Sequence, residues 1–440
     1  MIKFTPLYGA KNEHPLCYLL EIDEACILLD CGWDETFDLR LIQQLRKLAP
    51  KIDAVLISHS DVQHIGALPF LIAKTGMKAK IYATVPVVKM GQLTVYDAAL
   101  SRSSREDFDL FNLDDIDSTW EFDEKNQGFR HFIPLRYQQS AQLEGRADGI
   151  SVCPLNAGHS IGGAIWRITK DAENIVYAVD YNHAQERHLD GTVLETLERP
   201  TVLITDAYTV LDRPLNDEHG KPLSGKKAKE EKLRERILRT LGDGGNVLIP
   251  VDSTGRVLEL MLLLESFWAD PTFPARNCTL AFLAPVSRSV VDMAKTQTEW
   301  FSKHVAHALL DSRQNAFEFK HLKCCGSRRE LAKLQGPQVV LASGLDLETS
   351  SEALDLFAEW VSDSRNSVVL TQRSRPECNA RRLYDSLVHG GALPNMLTLQ
   401  LYKRVPLEGQ ELREHEERAR AAAVEQQRMQ EELDAAAEAA

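Results

Sequence analysis

Two imidazoles and a carboxylate fall within one short segment, at His59, Asp61 and His64, with the amide of Gln63 between them. Imidazole nitrogen and carboxylate oxygen are the donors of zinc centres and the acids and bases of hydrolytic sites. More residues of this kind follow. His159 sits between Gly158 and the pair Gly162 and Gly163, where backbone must approach something closely. Asp30, Asp180 and Asp206 each close an apolar run. Such a set can carry metal-assisted hydrolysis, in which a bound ion lowers the pKa of water from about 16 to about 7.

These side chains need rigid elements behind them. Val55, Leu56 and Ile57 read as a buried strand that stops at the histidine segment. Gly66 and Pro69 then punctuate the start of a helix. Residues 17–22 and 25–30 read as a hairpin around Asp23 and Glu24. It ends on Asp30, which reads either as a turn aspartate beside Gly32 or as an orienting partner for a ligand. Further strands are predicted at 80–84, 150–155, 164–168, 174–179 and 201–205. Helices are predicted over 39–48, stopped by Pro50, and over 85–100. The acidic stretch 101–128 reads as a solvated surface helix and loop.

From residue 209 the pattern becomes strand, turn, helix. Strands near 246–251, 279–283, 338–343 and 367–371 alternate with helices over 226–241, 286–305 and 352–361, which predicts a second α/β domain over 209–394. A polar loop around Asn216 opens it. Alternation of Leu397, Leu399 and Leu401 predicts a last strand near 395–407. Residues 408–440, rich in Glu, Arg and Ala, predict an exposed helical linker or tail.

Composition narrows the classes. The chain has 440 residues, 44% hydrophobic and 26% charged, enough for two cored domains. A net charge of −13 argues against a generally basic nucleic-acid-binding surface and leaves room for local patches. Such patches fall at Lys226 and Lys227, and at Lys323 with Arg328 and Arg329, where charge runs usually form solvated faces. Eight cysteines without a CxxC pair fit reduced thiols better than a disulfide framework. No apolar run is long enough to span a bilayer, and the first residues carry no secretory pattern.

The run His59, Asp61, Gln63, His64 resembles the His-x-His-x-Asp-His motif of the metallo-β-lactamase fold, with aspartate for the inner histidine and glutamine for the aspartate. Asp30, His159, Asp180 and Asp206 follow in that family's order. Gly255, Arg256, Glu259 and Leu260 resemble a segment of the β-CASP domain, an insertion found in nucleic-acid-processing metallo-β-lactamases. The resemblance implies a metallo-β-lactamase αββα sandwich over 1–208 with a return strand near 395–407, an inserted α/β β-CASP domain over 209–394, and a longer whole protein. It also implies two zinc ions in active members, bridged by the carboxylate at the position of Asp180.

The departures favour a non-catalytic branch. Asp61 is shorter than the imidazole it replaces, Gln63 removes an anionic ligand, and no later histidine segment follows residue 380, since His389 sits too early and lacks its acid. The expectation is therefore a degenerate pocket (Asp30, His59, Asp61, Gln63, His64, His159, Asp180, Asp206) with no catalytic residue and no metal. The implied role is a nuclear scaffold subunit of pre-messenger RNA 3′-end cleavage and polyadenylation. It would form a heterodimer with the paralogous endonuclease, meet scaffold subunits such as symplekin, and touch pre-mRNA through Lys226, Lys227, Lys323, Arg328 and Arg329. A second reading is a single-zinc RNA hydrolase using His59, Asp61, His64, His159 and Asp180. A third, a small-molecule hydrolase of the lactamase class, is disfavoured by the Gly255-Arg256 segment.

Overall fold

The computed structural model describes residues 1–440 apart from 12, 14, 126, 198, 208–224, 349, 389–396, 422, 423 and 425–440. Residues 1–401 form one compact unit and 402–440 a second. The first sheet is built from β1 (Ile2–Tyr8), β2 (Cys17–Ile22), β3 (Ala25–Leu29), β4 (Ala54–Leu56), β5 (Lys80–Thr84) and, past a two-stranded ribbon of β6 (Phe122–Asp123) and β7 (Gly128–Phe129), β8 (Phe132–Leu135). Its order is β1-β2-β3-β4-β5-β8, antiparallel through the 17–29 hairpin and parallel from β3 onward.

Strand alternation divides this sheet between two cores. Cys17, Leu28, Val55, Ile57 and Ile81 face a helical layer of α1 (Gln43–Leu48), α2 (Val62–Ile65), α3 (Leu68–Thr75), α4 (Val85–Ser103) and α5 (Leu113–Thr119). Tyr18, Leu20, Ile27, Leu29, Leu56 and Tyr82 face the other way. There they meet Val152, Trp166, Ile168, Ile175 and Tyr177 of a second sheet, ordered β13-β12-β11-β10-β9. Its strands are β9 (Ala141–Gln142), β10 (Ile150–Asn156), β11 (Ala164–Lys170), β12 (Glu173–Ala178) and β13 (Val202–Thr205). The indole N–H of Trp166 donates to the Ile57 carbonyl at 3.0 Å, tying the two sheets beside the histidine segment.

The second domain is a parallel sheet, β16-β15-β17-β14-β18, made of β14 (Val247–Val251), β15 (Thr279–Leu283), β16 (Leu322–Cys325), β17 (Gln338–Ser343) and β18 (Ser367–Val368). Both faces are buried, as near-continuous apolar strands require. Val247, Ile249, Phe282 and Leu341 pack on the side of α6 (Lys226–Gly242), α7 (Val257–Ala269) and α8 (Ser287–Thr296), beyond which lies α9 (Lys303–Ser312). Leu248, Ala281, Leu283 and Val340 pack on the side of α10 (Arg328–Leu331), α11 (Glu352–Trp360) and α12 (Asn379–Val388).

Several expectations are corrected. The helix predicted over 286–305 is broken: α8 ends at Thr296, a 3₁₀ turn covers Thr298–Trp300, and Ser302 caps a new helix by accepting from the Val305 N–H. The helix predicted over 39–48 begins only at Gln43. Residues 397–407 form no strand, although Leu397 and Leu399 do alternate inward against the second domain's core. Alternation places side chains, but a strand also needs a neighbouring backbone to pair with. The stretch 101–128 is not simply solvated, because Arg105 is buried against Glu352 at 2.9 Å and Asp355 at 2.8 Å. The loop around Asn216 and His389 lie outside the described residues. Within the second unit, residues 409–421 are helical and exposed.

The two domains share side chains. Met90 of α4, Ile161 and Leu189 belong to the core of the second domain. Glu259, in the first turn of α7, accepts from the Arg187 N–H at 2.9 Å and from His188 Nδ1 at 2.8 Å, and pairs with Lys226 at 3.2 Å. Burial alone would raise this carboxyl, but the bond and charge of His188 and the Arg187 N–H hold it well below the usual range. A carboxylate depressed in the folded state adds stability above its unfolded pKa, and that stability is lost as pH falls through the folded value. Glu259→Gln should therefore lower stability at pH 7 by about 3 kcal/mol. In denaturant titrations the gap from wild type should close as pH drops below 4.5, the ordinary glutamate value; a gap constant with pH would contradict the assignment.

Candidate functional site

The pocket is assembled at the carboxyl ends of the first domain's central strands. Because β3 and β4 are parallel neighbours, Asp30 lies beside the residues that follow β4. Its carboxylate accepts from the Ser58 N–H and Oγ–H, each at 2.7 Å, and from the Tyr177 hydroxyl at 2.5 Å. Asp30 holds φ 55°, a left-handed conformation that aspartate tolerates better than most residues. With its proton given to Asp30, Ser58 Oγ accepts from His59 Nδ1 at 2.9 Å. The relay places the imidazole proton on Nδ1 and leaves Nε2 buried, with no group among the described residues in hydrogen-bond geometry with it. Burial first, then the neighbouring His64 and His159, push His59 well below its ordinary pKa, so it is neutral. Gly163 makes room for this ring: a Cβ there would lie 2.9 Å from Nε2.

Asp61 does something else. It is the N-cap of α2, its Oδ1 accepting from the Gln63 N–H at 3.0 Å, and the same oxygen accepts from His64 Nδ1 at 2.8 Å. On its other side, His64 Nε2 stands 3.4 Å from Asp180 Oδ2, an ion pair without the alignment of a hydrogen bond. Burial alone would lower His64, but the carboxylates of Asp61, Asp30 and Asp180 overcome it and raise the imidazole to about 10. Asp61 moves the opposite way: burial would raise it, and the His64 charge pulls it well below the carboxylate range. Asp180 is raised to about 7 by burial, opposed by His64 and reinforced by Asp206. The Asp180 N–H donates to Asp206 Oδ2 at 2.6 Å, which their parallel strands β12 and β13 bring about.

His159 completes the cluster, its ring 5.5 Å from that of His59, which is itself 4.9 Å from that of His64. The Gly158 turn is obligatory, with φ 70° and a Cβ position 2.4 Å from the Asn182 carbonyl. Burial and the adjacent Arg256 lower His159 to about 3. Arg256 reaches across from the second domain to the His159 carbonyl at 3.3 Å and Glu186 at 3.2 Å. The pocket opens into a cavity of about 1230 Å³ between the domains, lined by Asp61, Gln63, His159 and Asp180 on one side and Asp252 and Arg256 on the other.

The structure thus brings Asp30, His59, Asp61, Gln63, His64, His159, Asp180 and Asp206 to one place. Ser58 and Tyr177 are the members that the sequence did not disclose. Tyr177 faces inward on β12, and only its position in an alternating strand hints at that. As a zinc pair the donor set does not fit. Asp61 Oδ1 is occupied by the helix cap and by His64, His64 Nδ1 is occupied by Asp61, and Gln63 offers no charge. Among the described residues no group of three or more His, Cys, Asp or Glu side chains is arranged to hold one ion.

The basic residues divide. Lys226 is engaged by Glu186 at 2.6 Å and by Glu259, and Arg328 by Glu359 and Asp355. Lys227, Lys323 and Arg329 are exposed. No helix among the described residues is long and apolar enough to cross a membrane.

Removing the imidazolium leaves Asp61 and Asp180, 24% and 33% exposed, without the cation between them. His64→Ala should cost about 2–3 kcal/mol in denaturant unfolding, below the cost of breaking a fully buried ion pair because both carboxylates keep some solvent. A loss under about 1 kcal/mol, the level of a surface pair, would show that His64 carries no charge there.

Comparison with known proteins agrees with this architecture. The profile of the metallo-beta-lactamase superfamily domain matches residues 19–204, and that of the Beta-Casp domain matches residues 257–383. A Drosophila melanogaster protein named "Probable cleavage and polyadenylation specificity factor subunit 2" is 44% identical over 417 residues, covering 94% of this chain and 52% of the relative. The cleavage and polyadenylation specificity factor subunit 2 of Arabidopsis thaliana is 43% identical over 417 residues, with 94% and 53% covered. Cleavage factor two protein 2 of Schizosaccharomyces pombe is 32% identical over 422 residues, with 90% and 49% covered. The chain spans about half the length of the curated relatives it matches. With both domains matched and this similarity running through nearly all of its sequence, the chain belongs to the metallo-β-lactamase superfamily, in the β-CASP branch of the cleavage and polyadenylation specificity factor subunit 2 proteins.

Proposed function

We propose that this chain is a non-catalytic scaffold of pre-messenger RNA 3′-end cleavage and polyadenylation, a pseudo-nuclease without catalytic metal. The observation that carries the reading is His64, a cation between Asp61 and Asp180 in a pocket where the neutral Gln63 stands at one ligand position. An internal imidazolium supplies the positive charge that these carboxylates need, and it activates no water. The relatives' names support the process, and the fold alone does not imply activity. On this reading the chain works in the nucleus, pairs with the paralogous endonuclease subunit, meets scaffold subunits such as symplekin and touches pre-mRNA. RNA contact falls to Lys227, Lys323 and Arg329, since Lys226 and Arg328 are already paired.

One observation favours the second reading, a single-metal RNA hydrolase. His59 Nε2 is bare and buried, as a zinc ligand would be. Metal content decides between them. The purified chain, offered excess zinc and dialysed, should carry near-zero zinc by elemental mass spectrometry, as should His59→Ala. Stoichiometric zinc that disappears in His59→Ala would overturn the pseudo-nuclease. For RNA binding, Lys323→Ala with Arg329→Ala should flatten the dependence of log affinity for single-stranded RNA on log salt by about 0.7 for each phosphate no longer neutralised. An unchanged slope would remove these residues from the interface.

A further inference from the structure

Open α/β sheets bind their ligands outside the carboxyl ends of the strands. In the second domain that crevice, beyond β14, β17 and β18, forms part of the cavity between the domains, and acidic side chains of the first domain reach across to its wall. Ser253 Oγ donates to Asp97 Oδ2 at 2.5 Å. The Asp346 N–H donates to Glu35 Oε2 at 3.2 Å, and Ser350 Oγ to Glu106 Oε1 at 3.0 Å. Past β18, Glu13 lies between two guanidiniums, Arg373 at 2.7 Å and Arg381 at 3.4 Å, with the Glu13 and Arg373 side chains only 10% and 5% exposed. In each case the second domain offers an N–H, a hydroxyl or a guanidinium and the first domain a carboxyl group. Arg105 runs in the reverse sense, but it sits on the first turn of α11.

We propose that this crevice is an anion site that the first domain occupies with its own carboxylates, so that the two domains are latched by internal ligands. The ligand class it takes is a carboxylate or another small oxyanion. The strongest position is the Arg373–Arg381 clamp, because two guanidiniums pair with one little-exposed carboxylate. Arg381 shares its charge with Asp385 at 2.9 Å, and Arg375 is committed to Asp346 at 3.0 Å, so Glu13 is the carboxylate that the first domain gives to the clamp. Glu13 and Arg373 of the clamp line the same cavity as the histidine cluster, but the clamp shares no side chain with that cluster and does not depend on whether the pocket holds metal.

Chemical rescue tests it. In hydrogen-exchange mass spectrometry of the whole chain, Glu13→Ala should speed exchange at residues 371–376 and in α12 by about tenfold, the effect of opening a part-buried ion pair. Acetate at about 0.1 M should restore much of the protection by filling the vacated clamp. It should do nothing for wild type or for Glu13→Ala combined with Arg381→Gln. Unchanged exchange in Glu13→Ala, or faster exchange that acetate leaves unaltered, would overturn the proposal. Should Glu13→Ala not fold, Arg381→Gln serves in its place, because its residue is 20% exposed at the rim. Faster exchange at residues 371–376 supports the latch, and no change overturns it.

Discussion

An imidazolium held between two carboxylates is the interaction on which the pocket rests. His64, itself buried, lies within reach of Asp61 and Asp180, whose part-exposed carboxylates line the cavity. Each of the three states depends on the others: without His64 the acids repel, and without the acids a buried imidazole would lose its proton. The surrounding structure serves this arrangement. The Asp61 cap sets the start of α2, and the α2 backbone is stitched to residues 31–33 by bonds from the Cys31 and Trp33 N–H groups to His64 and Val62 carbonyls. Parallel pairing of β12 with β13 brings Asp206 up against the Asp180 backbone.

At these strand ends the ligand-type side chains are held together by charge and by the start of a helix. His59 still has the ligand-type tautomer, enforced from Asp30 through Ser58, but what it faces has changed. Asp61 caps a helix and neutralises His64, where a second imidazole would have been a free donor. Gln63 donates its backbone N–H to Asp61 and accepts from the Leu16 N–H through its carbonyl, so its place in the fold survives while its side chain brings no charge.

Much of this was legible in the sequence because strand ends with punctuating glycines announce where side chains will be delivered. His59, His64, His159 and Asp180 converge as their positions implied. The job of Asp61 was not legible. Spacing shows that a carboxylate is present, but cap and ion pair compete for it only in three dimensions. Arg105 shows the same limit on a larger scale, since the acids that bury it lie in α11, far along the chain. The stretch 397–407 shows the converse, with the alternation of a strand and no neighbour to make it one.

The most direct test is the protonation state of His64 itself, read from the nitrogen chemical shifts of a histidine-labelled protein. The account predicts that both ring nitrogens carry protons at pH 7 and remain protonated well above the ordinary histidine pKa of about 6.5. A neutral His64 at pH 7, with one bare nitrogen free to take a metal, would contradict it.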